Sequence, residues 1–258
     1  QYAEPGMITF LPEYVDTLIK PGRGWYDING VRHERVTTLL NVINKPALVP
    51  WAIKTTTAKF RSIMEASVNT TIDPVWISEA LAAAKDAADE ARDAAADKGS
   101  EIHLAIQEFV TKGVWPADAV IKQCVLAYHE WTGSNPMEPV ANEVTVWSPS
   151  DRYAGTIDEV GILPNGHYTV IDFKTGGAYP EHALQVAAYA NALEELTGIP
   201  VDSAWLLRIP RDQPEDGSPQ FFAKVMDVEQ IQDNYEAFRN AMYLQRRLKG
   251  GGLWTECE

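Results

Sequence analysis

Asp158, Asp172, Lys174, Gln185 and Tyr189 follow one another through the segments GTIDEVG, YTVIDFKTG and LQVAAY. Two carboxylates held close together repel unless a cation sits between them, and hard oxygen ligands with few accompanying His or Cys suit Mg²⁺ or Mn²⁺. Lys174 adds a compact point charge two residues after Asp172. The chemistry open to such a set is activation of water, and neutralisation of a developing anion, by a bound divalent cation.

Positioning these groups requires a hairpin and a helix. Tyr168 to Phe173 alternates and is rich in β-branched and aromatic residues, so it reads as a strand. Residues two apart share a face, which puts Asp172 and Lys174 on one side and turns Phe173 into the core. Tyr153 to Ile162 reads as a second strand, and Pro164 to Gly166 supplies the turn for an antiparallel hairpin that brings Asp158 beside Asp172. Downstream, Pro180 to Leu196 has helical apolar spacing with Pro180 near its first turn. Gln185 and Tyr189 stand four residues apart on one face of that helix and lean over the strand carrying Lys174.

The remaining pattern completes a mixed architecture. A small hairpin is expected near Trp25 to Val31, with helices from Val36 onward. A long Ala-rich helix runs from Asp73-Pro74 to Gly113, where Gly99 marks a break or a close approach. Another helix is expected over Pro116 to Thr132, and Gly133 to Pro136 marks a boundary. Glu138 to Trp147 reads as a strand on which Glu143 could line the same cleft, a solvent-facing strand carboxylate being the reading favoured. Strands at Ser203 to Ile209 and Phe221 to Met226 follow, then a helix from Val228 to Leu248 that ends in Arg246, Arg247 and Lys249 before Gly250 to Gly252. The fold class expected is α/β (α+β), a mixed central sheet flanked by helices with a helical N-terminal elaboration. Residues 1–135 form a mainly helical region and 136–258 the sheet with its C-terminal helix, packed as one compact unit.

G-x-x-D, then I-D-F-K-T-G, then Q-x-x-x-Y resembles the PD-(D/E)XK nuclease superfamily, specifically its RecB-type phage exonuclease branch. The likeness extends upstream to GSEIHLAIQEF, where Gly99, three residues and His103 match a helix typical of that branch. RVTTLLNVINKPALVPWAIK is similar to the N-terminal segment of its phage members, which makes the resemblance cover roughly residues 35–226. It implies a restriction-endonuclease-like core in which His103, Asp158 and Asp172 are metal ligands and the Phe173 backbone carbonyl completes the protein's share. Lys174 would activate or orient the attacking water, and Gln185 and Tyr189 would hold Lys174 or a substrate phosphate in place. The cofactor implied is Mg²⁺ or Mn²⁺. The activity implied is exonucleolytic trimming of linear DNA ends in phage recombination or repair, beside a single-strand annealing protein and in a homo-oligomer. A structure-specific endonuclease and a catalytically inert DNA-binding subunit are the alternatives on the same core.

Several RecB-type relatives bind an iron-sulfur cluster through four cysteines, whereas this chain of 258 residues has only Cys124 and Cys257. Two thiols cannot supply that ligand set, so no cluster is expected; Cys124 reads as a buried helix residue and Cys257 as a free thiol. A reducing cytoplasm, that of a bacterial host for a phage-encoded protein, fits this usage. No apolar run reaches the ~20 residues of a membrane span, and no basic-then-apolar leader begins the chain. Gln1 is not a translation start, and Met7 is a candidate initiator. A net charge of −14 argues against a DNA partner, but its distribution is uneven. Between Lys20 and Arg61 eight basic residues face only Asp27 and Glu34, a local balance of +6, with Trp25, Tyr26 and Trp51 interleaved. Residues 73–108 carry nine acidic side chains against Lys85, Arg92 and Lys98. That asymmetry would let a basic N-terminal lobe face nucleic acid while the acidic helix faces solvent, and it is equally the pattern of charges that are all solvated surface.

Overall fold

The computed structural model describes residues 17–209 and 221–250. Its strands are β1 (Ile19–Gly22), β2 (Trp25–Ile28), β3 (Val31–Arg35), β4 (Glu138–Ser148), β5 (Tyr153–Ile162), β6 (Tyr168–Lys174), β7 (Val201–Arg208) and β8 (Phe222–Met226). The helices are α1 (Val36–Leu39), running on into a 3-10 turn, α2 (Leu48–Ala66), α3 (Pro74–Lys112), α4 (Ala119–Ser134), α5 (Glu181–Thr197) and α6 (Val228–Lys249). The chain is a mixed α/β fold with one central mixed sheet flanked by helices, the class its sequence pattern implies.

All eight strands belong to one sheet of order β1-β2-β3-β5-β6-β7-β8, with β4 paired to the other edge of β5. The β3–β5 and β6–β7 pairs are parallel and the others antiparallel. β5 therefore serves three neighbours. β4 runs along one edge for its whole length; on the other edge β3 meets Tyr153 and Ala154, while β6 meets Glu159 to Ile162. The stretch Gly155 to Asp158 lies between those two partners. Here the β5–β6 ladder stops at the Glu159–Ile171 pair, and the Phe173 amide donates instead to the Asp158 side chain. A side-chain carboxylate thus stands where a backbone acceptor would otherwise continue the ladder.

The described residues group into two compact units, one being Asn44–Glu101 and the other the chain on either side of it. Within the larger unit, α5 and α6 cover one side of the sheet, where Val170, Val186, Leu193 and Phe238 share a core. The last part of α3 and α4 supply a second core, in which Ile102, Ile106, Tyr128 and Trp131 pack with Ile171 and Phe173. At roughly 2 kcal/mol for each large side chain buried, these two clusters supply the main drive to close the unit. In the smaller unit α2 leaves no residue fully buried, and α3 buries Ala80, Ala84 and Ala87 at helical spacing.

Local chemistry sets the boundaries. Asp118 accepts from the amides of Val120 and Ile121, which is why α4 starts at Ala119 rather than at Pro116. Asp227 and Gln230 form a reciprocal capping box at the start of α6, and Arg246, Arg247 and Lys249 sit in its last turn, where cations are favoured. α3 runs unbroken through Gly99, because the flanking Ala-rich sequence outweighs one glycine. Cys124 is buried on α4, while Cys257 lies outside the described residues. Of the glycine run expected to end α6, Gly250 is described and forms its cap. No helix of the described residues is long and apolar enough to cross a membrane.

Candidate active site

β5 and β6 bring Asp158 and Asp172 to the place where the ladder ends, and α3, β4 and α5 each add a side chain. Asp158 is nearly buried: one carboxylate oxygen accepts the Phe173 amide at 2.5 Å and the other lies 3.5 Å from His103 Nδ1. His103 also stands 3.7 Å from a carboxylate oxygen of Glu143 and packs edge-on against Phe173. His103, Glu143 and Asp158 each offer a ligand atom within 4.8 Å of the other two. Ligands on opposite sides of a magnesium ion stand about 4.2 Å apart, so a slight closing of this trio would grip one ion. Two carboxylates and an imidazole, with no sulfur, also suit a hard or borderline divalent cation chemically.

Glu143 gains its place through an unusual backbone. Asn142 pairs with Glu159 and Val144 with Ile157 across the β4–β5 ladder, which sets Glu143 opposite Asp158. Its φ is +52°, a left-handed conformation inside a strand. For a residue with a Cβ that costs about 1–2 kcal/mol, so the surrounding structure must impose it. The sequence pattern marked Glu143 as a solvent-facing strand carboxylate. Its side chain is indeed 40% exposed, yet it closes the trio. The legible signal was the adjacent polar pair Asn142-Glu143, which interrupts the alternation of Val140 to Val146 as a local kink does.

Asp172 lies outside that trio. Its carboxylate is 2.5 Å from Lys174 Nζ through one oxygen and accepts the Gln185 side-chain amide at 3.3 Å through the other. Gln185 also donates to the Tyr189 hydroxyl at 2.9 Å, so the helix pair bears on Asp172 rather than on Lys174. Tyr189 in turn fits only because residue 155 is glycine: a Cβ there would come within 2.2 Å of its ring. Of the expected metal ligands, then, His103 and Asp158 converge directly and Asp172 stands next to them in a lysine pair. Phe173 contributes its amide to Asp158.

Electrostatically the site is arranged for a positive charge. Burial works against a charged His103 imidazole, but the hydrogen bonds and charges of Asp158 and Glu143 outweigh it and raise its pKa to about 10. Burial likewise opposes the Lys174 ammonium, and the Asp172 and Asp158 charges hold its pKa above the usual lysine value. Burial pushes the Asp172 carboxyl up, against the pull of Lys174 and with the repulsion of Asp158. Behind the trio, burial pushes the Glu159 carboxyl up to about 7, countered by hydrogen bonds from Tyr128 and Asn142.

The basic run between Lys20 and Arg61 is divided between the units. Arg32 lies over the Trp25 ring at 5.2 Å and Arg35 over the Tyr26 ring at 4.6 Å, cation–π contacts within the sheet region. Lys45, Lys54, Lys59, Arg61 and Trp51 belong to the Asn44–Glu101 unit.

No protein-family profile and no curated protein matches the sequence. Among solved structures, a protein of Eubacterium rectale provisionally named an exonuclease overlaps 62% of this chain and 69% of its own, at 11% identity and a TM-score of 0.40. An alkaline exonuclease of Laribacter hongkongensis overlaps 56% of this chain and 84% of its own, at 14% identity and a TM-score of 0.29. The same exonuclease in complex with dAMP overlaps 78% of this chain and 97% of its own, at 13% identity and a TM-score of 0.28. Overlaps this loose carry no chemistry, which the side chains themselves must supply.

Proposed function

We propose that this chain is a deoxyribonuclease of the PD-(D/E)XK type, RecB-like branch, that uses Mg²⁺ or Mn²⁺ to hydrolyse phosphodiester bonds from the ends of linear DNA. The observation that carries the reading is the meeting of His103, Glu143 and Asp158 beside the Asp172–Lys174 pair. His103, Asp158 and Glu143 would hold the cation, with Asp172 and the Phe173 carbonyl joining the set. When bound, the cation supplies an acidified water and a counter-charge for the phosphorane-like anion. Lys174, kept charged by two carboxylates, presents a donor that orients the attacking water or a phosphate oxygen. Gln185 braces Asp172, and Tyr189 braces Gln185. The substrate phosphate would lie beside these groups, where the β5–β6 ladder ends. DNA is the partner, in recombination or repair of phage genomes inside a bacterial cytoplasm. An annealing protein and self-association belong to the same reading.

The test is incubation with linear and with covalently closed circular DNA, in Mg²⁺, Mn²⁺ or EDTA, beside a Lys174→Ala variant. Loss of linear DNA alone, dependent on metal and on Lys174, supports the proposal. Nicking of circles makes it an endonuclease on the same core, and binding without any cleavage makes it an inert DNA-binding subunit.

A further inference from the structure

Glu159 is wholly buried one residue from Asp158, and no cationic group pairs with it among the described residues. Its two oxygens are held from two elements. The Tyr128 hydroxyl on α4 lies 2.8 Å from each, and Asn142 Nδ2 on β4 donates to one at 3.1 Å. The same Asn142 amide reaches the Asp158 carbonyl oxygen at 3.4 Å. Asn142 and Glu159 are cross-strand partners, so this bond joins β4 to β5 immediately beside Glu143 and Asp158. The Tyr128 ring also packs edge-on against Phe173, which packs edge-on against His103.

A buried carboxylate without a cation is an expensive way to join two strands, because an apolar pair of the same shape does so without the desolvation cost. What a directional pair adds is register. Glu143 is forced into a left-handed backbone and must point one way for its carboxylate to face His103 and Asp158. Clamping its neighbour Asn142 onto Glu159 fixes where that turn occurs.

We infer that Glu159, with Tyr128 and Asn142, is a positioning device that sets the separation of His103, Glu143 and Asp158 and thereby the site's affinity for a divalent cation. The inference rests on the reading of that trio as a cation site. Glu159 touches neither cation nor substrate; it acts through Asn142 and the β4 backbone.

The probe is Mn²⁺ alone, followed by the loss of the free-ion electron paramagnetic resonance signal as full-length protein is added. Asn142→Asp removes the amide that donates to Glu159 and to the Asp158 carbonyl and puts a second carboxyl group in its place. Mn²⁺ binding should weaken by about 10–100-fold, the range for partners that orient metal ligands. A purely electrostatic effect of the added negative charge would tighten it instead. The exchange Asn142→Asp with Glu159→Gln restores a donor facing an acceptor at unchanged net charge, and should bring affinity back to within about threefold of the native protein. Circular dichroism checks the fold of each variant, and Tyr128→Phe, which removes only a hydroxyl, carries the test if Asn142→Asp does not fold. It should weaken binding at least about threefold. Unchanged or tighter binding in Asn142→Asp, an exchange variant no better than the single one, or unchanged binding in Tyr128→Phe overturns the inference. Absence of Mn²⁺ binding by the native protein overturns the cation site itself, and this inference with it.

Discussion

Replacing Lys174 by methionine keeps most of its aliphatic volume and leaves Asp172, whose side chain is 3% exposed, without a charge partner. At the 2.5 Å separation of Nζ and Oδ2, two unit charges attract by about 6–7 kcal/mol at an effective dielectric of about 20. Much of that offsets the cost of burying both, so the net loss belongs in the roughly 3–5 kcal/mol range for removing one partner of a buried pair. Lys174 keeps 21% of its side chain exposed, which argues for the lower end, about 3 kcal/mol. That is a large share of the ~5–15 kcal/mol that holds a domain together. The double variant Lys174→Met with Asp172→Asn removes both charges and should recover to within about 1–2 kcal/mol of the native protein while remaining devoid of nuclease turnover. Urea unfolding followed by tryptophan fluorescence at pH 7 in EDTA reads all three proteins without metal contributing. A loss below about 1 kcal/mol in the single variant, or a double variant no more stable than the single one, would refute the claim that this pair is a mutually dependent buried unit.

Gly155→Ala should cost about 1–3 kcal/mol or more, since its Cβ would sit 2.2 Å from a Tyr189 ring atom, and should depress turnover by disturbing the Gln185–Asp172 contact. A thermal melt beside a nuclease assay checks both, and an unshifted melt would contradict the packing. Glu143→Gln should raise the half-saturating Mn²⁺ concentration by about tenfold or more with the circular dichroism spectrum unchanged. Burial holds the His33 imidazole below its usual value, so the fold accommodates its neutral form. Its contribution is present above about pH 6.5 and is lost as pH falls through the folded value. Urea midpoints measured between about pH 7 and 4.5 should therefore fall less steeply in His33→Gln than in the native protein.

The parts of the site that depend on short-range pattern are readable along the chain. Alternation from Tyr168 to Lys174 fixes which residues share a face, and helical spacing places Gln185 and Tyr189 together. Three features escape such reading because they are set by partners far away in sequence. Glu143 reaches the trio only through the β4–β5 register and a left-handed backbone at a residue that is not glycine. Asp172 engages Lys174 and the helix residue Gln185, while Asp158 on the neighbouring strand takes the Phe173 amide. β1 to β3, expected as a small hairpin in a helical region, join the main sheet through a parallel contact of only two residue pairs with β5. His103 and Asp158 do come together, joined by Glu143, while the holding of an ion by these residues, by Asp172 and by the Phe173 carbonyl stays within the proposal.

The left-handed turn at Glu143 also bears on how this protein would respond to selection in the laboratory. Glycine takes that conformation without penalty, and asparagine with little. A library screened only for survival after heating should therefore enrich small or amide side chains at position 143 and discard the carboxylate. Hardier molecules would accumulate there at the expense of the proposed cation site, and a screen meant to toughen the protein would have to hold that one position constant.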